Sequence, residues 1–106
     1  MATNTLTEHQ IEVVRNCLVA AIEGPFFEDW EFHTLIGIDR LELKEILEKW
    51  PATDSRDENA ARNVMGNLLG YPHGQDGALL RYVSGGRTEI ESVFETWSHT
   101  QDSRAL

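Results

Sequence analysis

Apolar residues recur every three or four positions in four segments of this chain, and this spacing limits its possible folds more than any other feature. The segments cover about 7–23, 39–50, 55–70 and 87–97. A period of three to four residues places apolar side chains on one face of an α-helix, whereas a half-buried strand needs strict alternation. No segment shows useful alternation, so the sequence predicts an all-α fold.

Recognisable signals mark the ends of these helices. In a capping box, a Ser, Thr or Asp and a Glu or Gln three residues later satisfy free N–H groups at a helix start. Gly24 and Pro25 should end the first helix, because glycine suits a left-handed C-cap and proline cannot continue the hydrogen-bond ladder. The pairs with capping-box spacing are Thr7 with Gln10, Asp39 with Glu42, and Ser55 with Glu58.

An internal repeat organises the helices. A shift of 47 residues aligns 10–50 with 57–97 and gives eight identities in 41 pairs, against about two to three expected from average composition. We therefore predict one domain of about six helical segments, built from two similar three-helix halves, about 7–53 and 54–100, around an approximate two-fold axis. The identical pairs are Arg15 with Arg62, Asn16 with Asn63, Pro25 with Pro72, Asp29 with Asp76, Arg40 with Arg87, Glu42 with Glu89, Glu48 with Glu95, and Trp50 with Trp97.

The two tryptophans that close the aligned stretches are expected to be structural. Trp50 and Trp97 each follow an apolar stripe. We expect both to be buried in equivalent pockets, each contacting its own half and reaching the helix that opens that half.

Length and apolar content are those of a single domain. A chain of 106 residues can bury one modest core. Residues 1–4 and 98–106 have little to bury and should fray, the latter as a flexible tail.

The sequence shows neither a basic region followed by an apolar run nor a segment that could span a membrane. We therefore expect a soluble, cytoplasmic protein. The single cysteine, Cys17, lies in an apolar run and is a poor nucleophile.

The charge excludes some partners. Eighteen acidic against nine basic side chains give a net charge of −9, which disfavours binding to nucleic-acid phosphates or anionic membranes. It is compatible with simple solubility and with a basic protein partner. The sequence does not indicate an oligomeric state.

The segment 24–37, "GPFFEDWEFHTLIG", combines aromatic and acidic residues in an unusual density. In the repeat alignment it matches 71–84 and reads as a loop followed by a short helix. Phe32, Leu35 and Ile36 then form a core-facing stripe. Asp29 and its match Asp76 are expected to be N-caps.

The loop before this short helix is where the halves differ most, since "PFFED" aligns with "PHGQD". At least two of Phe26, Phe27 and Trp30 should be buried, and one exposed aromatic would suffice to anchor a partner while acids steer it. We predict a non-enzymatic interaction module without cofactors that binds a protein partner, plausibly a basic one. The predicted partner-binding residues are Phe26, Phe27, Glu28, Asp29, Glu31 and His33.

The alternative is a small-ligand or metal-binding protein, or an enzyme, with a site between the halves. His33, His73 and Asp76 are imidazole and carboxylate groups near the loops, and such groups bind divalent metals or transfer protons. This arrangement requires the two loops to converge. No catalytic motif of high specificity supports it, and no catalytic residue is predicted.

Overall fold

The computed structural model describes residues 6–51, 54–71 and 73–105, with the backbone alone from residue 98 onward. No described residue lies in a strand, which confirms the all-α prediction. The radius of gyration is 12.8 Å, close to the value of about 13 Å expected for one compact domain of this length. The helices are α1 Glu8–Glu23, α2 Asp29–Ile36, α3 Arg40–Lys49, α4 Ser55–Gly70, α5 Asp76–Leu79 and α6 Gly86–Ala105.

Two of the three predicted capping boxes are confirmed, those at Thr7 and Asp39. The third prediction was wrong by one residue. Asp54 is the N-cap of α4, and its carboxylate accepts a hydrogen bond from the backbone N–H of Asp57 at 2.9 Å. Aspartate caps as well as serine does, so the helix starts one residue earlier and Ser55 is its first helical residue.

The predicted N-cap roles of Asp29 and Asp76 were also wrong. Each is the first residue of its helix, and the cap positions belong to Glu28 and Gln75, neither of which makes a side-chain cap hydrogen bond. The two aspartates instead form ion pairs with arginines eleven residues later in the chain. Each aspartate therefore binds an arginine of a later helix and does not make the predicted hydrogen bond to its own helix.

Arg40 connects α3 to the end of α1 and the start of α2. Its guanidinium donates to the carbonyl oxygens of Ile22 at 3.3 Å and Phe27 at 2.8 Å. It also forms an ion pair with Asp29 and lies 4.5 Å from the centroid of the Phe32 ring. One planar cation with five N–H donors can make all of these contacts at once, so the α1–α2 loop is fixed against α3.

Arg87 makes a comparable set of contacts in the second half of the chain. It donates to the carbonyl oxygen of Leu68 at 3.2 Å and to that of Leu69, and it lies 3.4 Å from the carboxylate of Asp76. These contacts connect the end of α4, the start of α5 and the first turn of α6.

The helices also follow the 47-residue spacing of the sequence alignment. Helices α1 and α4 each contain 16 residues, and their first residues, Glu8 and Ser55, are 47 positions apart. Helices α2 and α5 begin at the aligned pair Asp29 and Asp76. Helix α1 packs on α3 as α4 packs on α6. The duplication itself stays a prediction.

The core lies where α1, α4 and α6 pack against one another. Trp50 and Trp97 are both buried, as predicted, and each reaches the helix that opens its half. The indole N–H of Trp50 donates to the carbonyl of Ile11 at 3.1 Å, and the guanidinium of Arg62 lies 5.1 Å from the centroid of the Trp97 ring. The equivalence of the two pockets stays a prediction, and the two rings contact each other edge to face at 6.3 Å.

Helix α6 continues beyond the predicted end at Trp97 and stops at Ala105. The sequence after Trp97 contains neither glycine nor proline, so nothing local interrupts the backbone ladder. The predicted flexibility of 98–106 stays a prediction, and the predicted fraying of residues 1–4 concerns a stretch outside the described residues.

Gly24 ends α1 for a different reason from the one predicted. Its φ is −87°, an extended conformation that any residue adopts, so the predicted left-handed C-cap was wrong. A Cβ at this position would lie 2.3 Å from Cε2 of the Phe26 ring and 2.8 Å from the carbonyl oxygen of Ala20. The glycine is required because the Phe26 ring packs directly against the backbone.

We expect Gly24→Ala to destabilise the fold and Gly70→Ala to stabilise it. The first change places a methyl group inside the Phe26 ring contact, whereas a Cβ added to Gly70 at the end of α4 would meet no atom within 4 Å. In a helix, alanine is favoured over glycine by about 0.5 to 1 kcal/mol. Urea unfolding of both variants measures the difference, and equal shifts in the same direction would contradict the assigned ring contact.

We expect Trp50→Phe to lower the free energy of unfolding by about 1 kcal/mol more than Trp97→Phe, although both rings are buried. Only Trp50 loses a hydrogen bond, because the buried indole N–H of Trp97 has no partner in the described part of the chain. Each variant serves as the volume control for the other. A larger cost at Trp97 would show that its indole N–H is satisfied in solution.

Candidate functional site

The three aromatic residues of the 26–30 stretch have different environments. Phe26 and Phe27 are 2% and 5% exposed, whereas Trp30 is 78% exposed. The expectation that at least two of the three would be buried is confirmed. The rings of Phe26 and Phe27 complete the core in a domain with little apolar material to spare, and their predicted role as partner-binding residues stays a prediction.

The buried phenylalanines join the two loops that the alternative hypothesis required to converge. The Phe26 ring contacts the His73 ring edge to face at 5.0 Å, and the Phe27 ring contacts the Tyr71 ring at 5.7 Å. The hydroxyl of Tyr71 donates a hydrogen bond to the carboxylate of Glu31. The loop at 24–28 therefore packs against Tyr71 and His73 beside the first turn of α2.

Helix α2 presents its predicted apolar stripe to the core. Phe32 and Ile36 are buried and Leu35 is partly buried. A helix turns by about 100° per residue, which places Trp30 about 160° from Phe32. Trp30 therefore lies on the solvent face, together with the exposed His33.

Trp30 is the residue that the sequence-based set of partner-binding residues omitted. The signal was available, since the period that assigns Phe32 and Ile36 to the core also assigns Trp30 to the opposite face. We call the exposed surface formed by Glu28, Trp30 and His33 the Trp30 face.

Two of the three acids of the predicted site have partners among the described residues. Asp29 pairs with Arg40, although its side chain is 93% exposed. Glu31 accepts the hydrogen bond from Tyr71. Glu28 is exposed, and its carboxylate makes no hydrogen bond or ion pair within the described part of the chain.

The structure does not bring His33, His73 and Asp76 together. Asp76 pairs with Arg87. His73 uses both ring nitrogens, since Nε2 donates to the carbonyl of Leu68 at 2.9 Å and Nδ1 accepts from the backbone N–H of Gln75 at 2.9 Å. His33 is exposed on α2. Among the described residues, no three His, Cys, Asp or Glu side chains form a group that could hold a metal ion.

A groove of about 360 Å³ nevertheless separates the two converging loops. It contains one of the three residues of the alternative hypothesis, His73, and none of the acids that hypothesis named. We call it the loop groove. The residues that line it are Pro25, Phe26, Phe27, Glu28, Tyr71, His73 and Gln75.

Cys17 is fully buried in α1, as its apolar surroundings predicted. Burial, assisted by the negative charge of Glu89, raises the pKa of its thiol to about 12. Because the thiolate is the nucleophilic form, this cysteine is inert in the folded protein.

We expect the Tyr71–Glu31 hydrogen bond to make stability depend on pH in alkaline solution. This bond, together with burial and the charges of Glu31 and Glu28, raises the pKa of Tyr71 above its ordinary value of 10.0. The folded state then binds the phenolic proton more tightly than the unfolded state, so the stabilisation is complete below about pH 10 and decreases above it.

Absorbance at 295 nm should therefore show one tyrosine titrating above the ordinary range, and Tyr71→Phe should remove that step. Glu31→Gln should lower the pKa of Tyr71 toward its ordinary value. An unchanged titration in Glu31→Gln would contradict the assigned contact.

In comparisons with known proteins, no protein-family model, no curated protein and no solved structure matches the chain. In the part of the chain that the structure describes, no helix combines the length and the apolar character needed to cross a bilayer. The site's own geometry is therefore the basis for any functional conclusion.

Proposed function

We propose that this protein is a small, non-enzymatic, cytoplasmic interaction module that binds a basic protein partner through the Trp30 face. The observation that carries the proposal is the exposure of Trp30, 78% of whose surface is open to solvent. Tryptophan is among the residues most enriched in binding hot spots, where its large ring inserts into a pocket of the partner. A ring of this size on a helix surface is unusual for a residue that only supports the fold.

Charge supports a basic partner. The chain has a net charge of −9. The Trp30 face includes the unpaired carboxylate of Glu28, and the largely exposed carboxylate of Asp29 lies beside it in the chain. Opposite charges accelerate encounter and orient the partners. A basic surface around an apolar pocket would match both properties of the Trp30 face.

The Trp30 face is also well fixed in position. Phe32 and Ile36 attach α2 to the core, and α2 packs on α4. Arg40 binds Asp29 in the first turn of α2 and Phe27 in the loop before it. A side chain on a rigid helix loses less conformational entropy on binding than one on a mobile loop.

The Trp30 face belongs to one half of the proposed duplication. The residue 47 positions after Trp30 is Gly77, which has no side chain to bind a partner. Helix α5 is also only four residues long, against eight in α2. We propose that two related halves formed the scaffold and that the first half acquired the binding surface.

The alternative function, a metal or small-ligand site that uses His33, His73 and Asp76, has less support. Both ring nitrogens of His73 already have hydrogen-bond partners, and Asp76 is paired with Arg87. Binding a ligand there would require these contacts to break.

We expect Trp30→Ala to weaken partner binding at least tenfold without unfolding the protein, because the ring is exposed and supports no core contact. Leu80→Ala is the matched control, since Leu80 is also an exposed apolar residue, at 55%. Partners captured from lysate on the wild-type protein are identified by mass spectrometry, and their affinities for both variants are measured by calorimetry.

Circular dichroism spectra and melting temperatures should be the same for the wild type and both variants. Partners that bind Trp30→Ala as tightly as the wild type, or that lose as much affinity with Leu80→Ala, would refute the assignment of the Trp30 face.

A further inference from the structure

The loop groove lies at the same end of α2 as the Trp30 face. Glu28 lines the groove and is the N-cap of α2, and Trp30 is the second residue of that helix. The groove volume of about 360 Å³ is near the lower limit for small-molecule sites. It suits a single long side chain better than a large ligand.

The groove offers hydrogen-bond acceptors and few free donors. The Glu28 carboxylate has no partner within the described residues, and the side-chain amide oxygen of Gln75 is a second acceptor at the opposite loop. Two of the three side-chain donors of the lining are already engaged, and the third is the amide nitrogen of Gln75. The Tyr71 hydroxyl donates to Glu31, and the Nε2–H of His73 donates to the backbone.

Pro25 and aromatic rings form the rest of the lining. Of the three rings of Phe26, Phe27 and Tyr71, that of Tyr71 is partly exposed beside these acceptors, whereas the two phenylalanines are buried. A cation is attracted to aromatic faces as well as to carboxylates. Rings and acceptors together therefore favour a positively charged group.

The surrounding charges do not oppose this assignment. The nearby cations, Arg40 and Arg87, are each paired with an aspartate and also donate to backbone carbonyls. Glu28 and Glu31 add negative charge that no described arginine or lysine pairs with. The groove is therefore locally acidic in a protein that is acidic overall.

We propose that the loop groove binds an arginine side chain of the partner whose apolar pocket receives Trp30. The guanidinium is planar, has five N–H donors and is weakly hydrated, so it can contact the Tyr71 ring while it bonds to Glu28 and Gln75. The lysine ammonium is smaller in extent and more strongly hydrated, which makes it the poorer occupant. This inference rests on the proposed function, because it identifies the chemistry of the same partner.

The test uses hexa-arginine peptide as the probe and the ¹⁵N-labelled full-length protein. Titration should shift the backbone amide resonances of Glu28, Tyr71 and Gln75 to saturation, and hexa-lysine should bind severalfold more weakly. Glu28→Gln should reduce affinity for hexa-arginine about fivefold, since it removes a charge-assisted hydrogen bond. Glu48→Gln makes the same charge change on the exposed surface of α3 and should have little effect.

An equal loss of affinity in Glu28→Gln and Glu48→Gln would show general charge attraction and overturn the proposal. Saturable shifts that exclude Gln75 would overturn it as well. The proposed function is judged separately by Trp30→Ala and its captured partners, so it can hold when the groove fails. Retention of the hexa-arginine shifts in Trp30→Ala would support the groove assignment even if the Trp30 face were wrong.

Discussion

Two arginines, Arg40 of α3 and Arg87 of α6, bind backbone carbonyls at the carboxyl ends of α1 and α4. These contacts fix the connections on which the rest of the structure depends. Neither helix has a basic residue in its own last turn, although the last turn of a helix leaves carbonyl oxygens unpaired and carries partial negative charge. Arg40 and Arg87 supply that missing charge from later helices. Arg40 also binds Asp29 at the start of α2, and Arg87 binds Asp76 at the start of α5. Each arginine therefore sets the direction that the chain takes after one of the two long helices.

Local patterns predicted what local interactions determine. The capping boxes at Thr7 and Asp39 involve residues three apart, and the apolar stripe of Phe32 and Ile36 follows from helical period alone. The same period was sufficient to place Trp30 on the solvent face. That part of the candidate site was therefore already present in the sequence.

Contacts between distant segments could not be predicted in the same way. The pairing of Asp29 with Arg40 competes with a capping role that the sequence pattern favours equally, and only the packing of α3 decides between them. Gly24 is explained by a ring that folds back against the backbone, which no spacing rule describes. The loop groove likewise depends on the convergence of two loops whose residues are more than 40 positions apart.

The unequal environments of the three tryptophans give this protein two independent optical signals. Trp50 and Trp97 are buried in mutual contact, whereas Trp30 is open to solvent. A neutral collisional quencher such as acrylamide therefore reaches the Trp30 emission selectively, and the emission of the buried pair responds only when the core opens. Intrinsic fluorescence can thus separate occupancy of the Trp30 face from global unfolding in a single unlabelled sample.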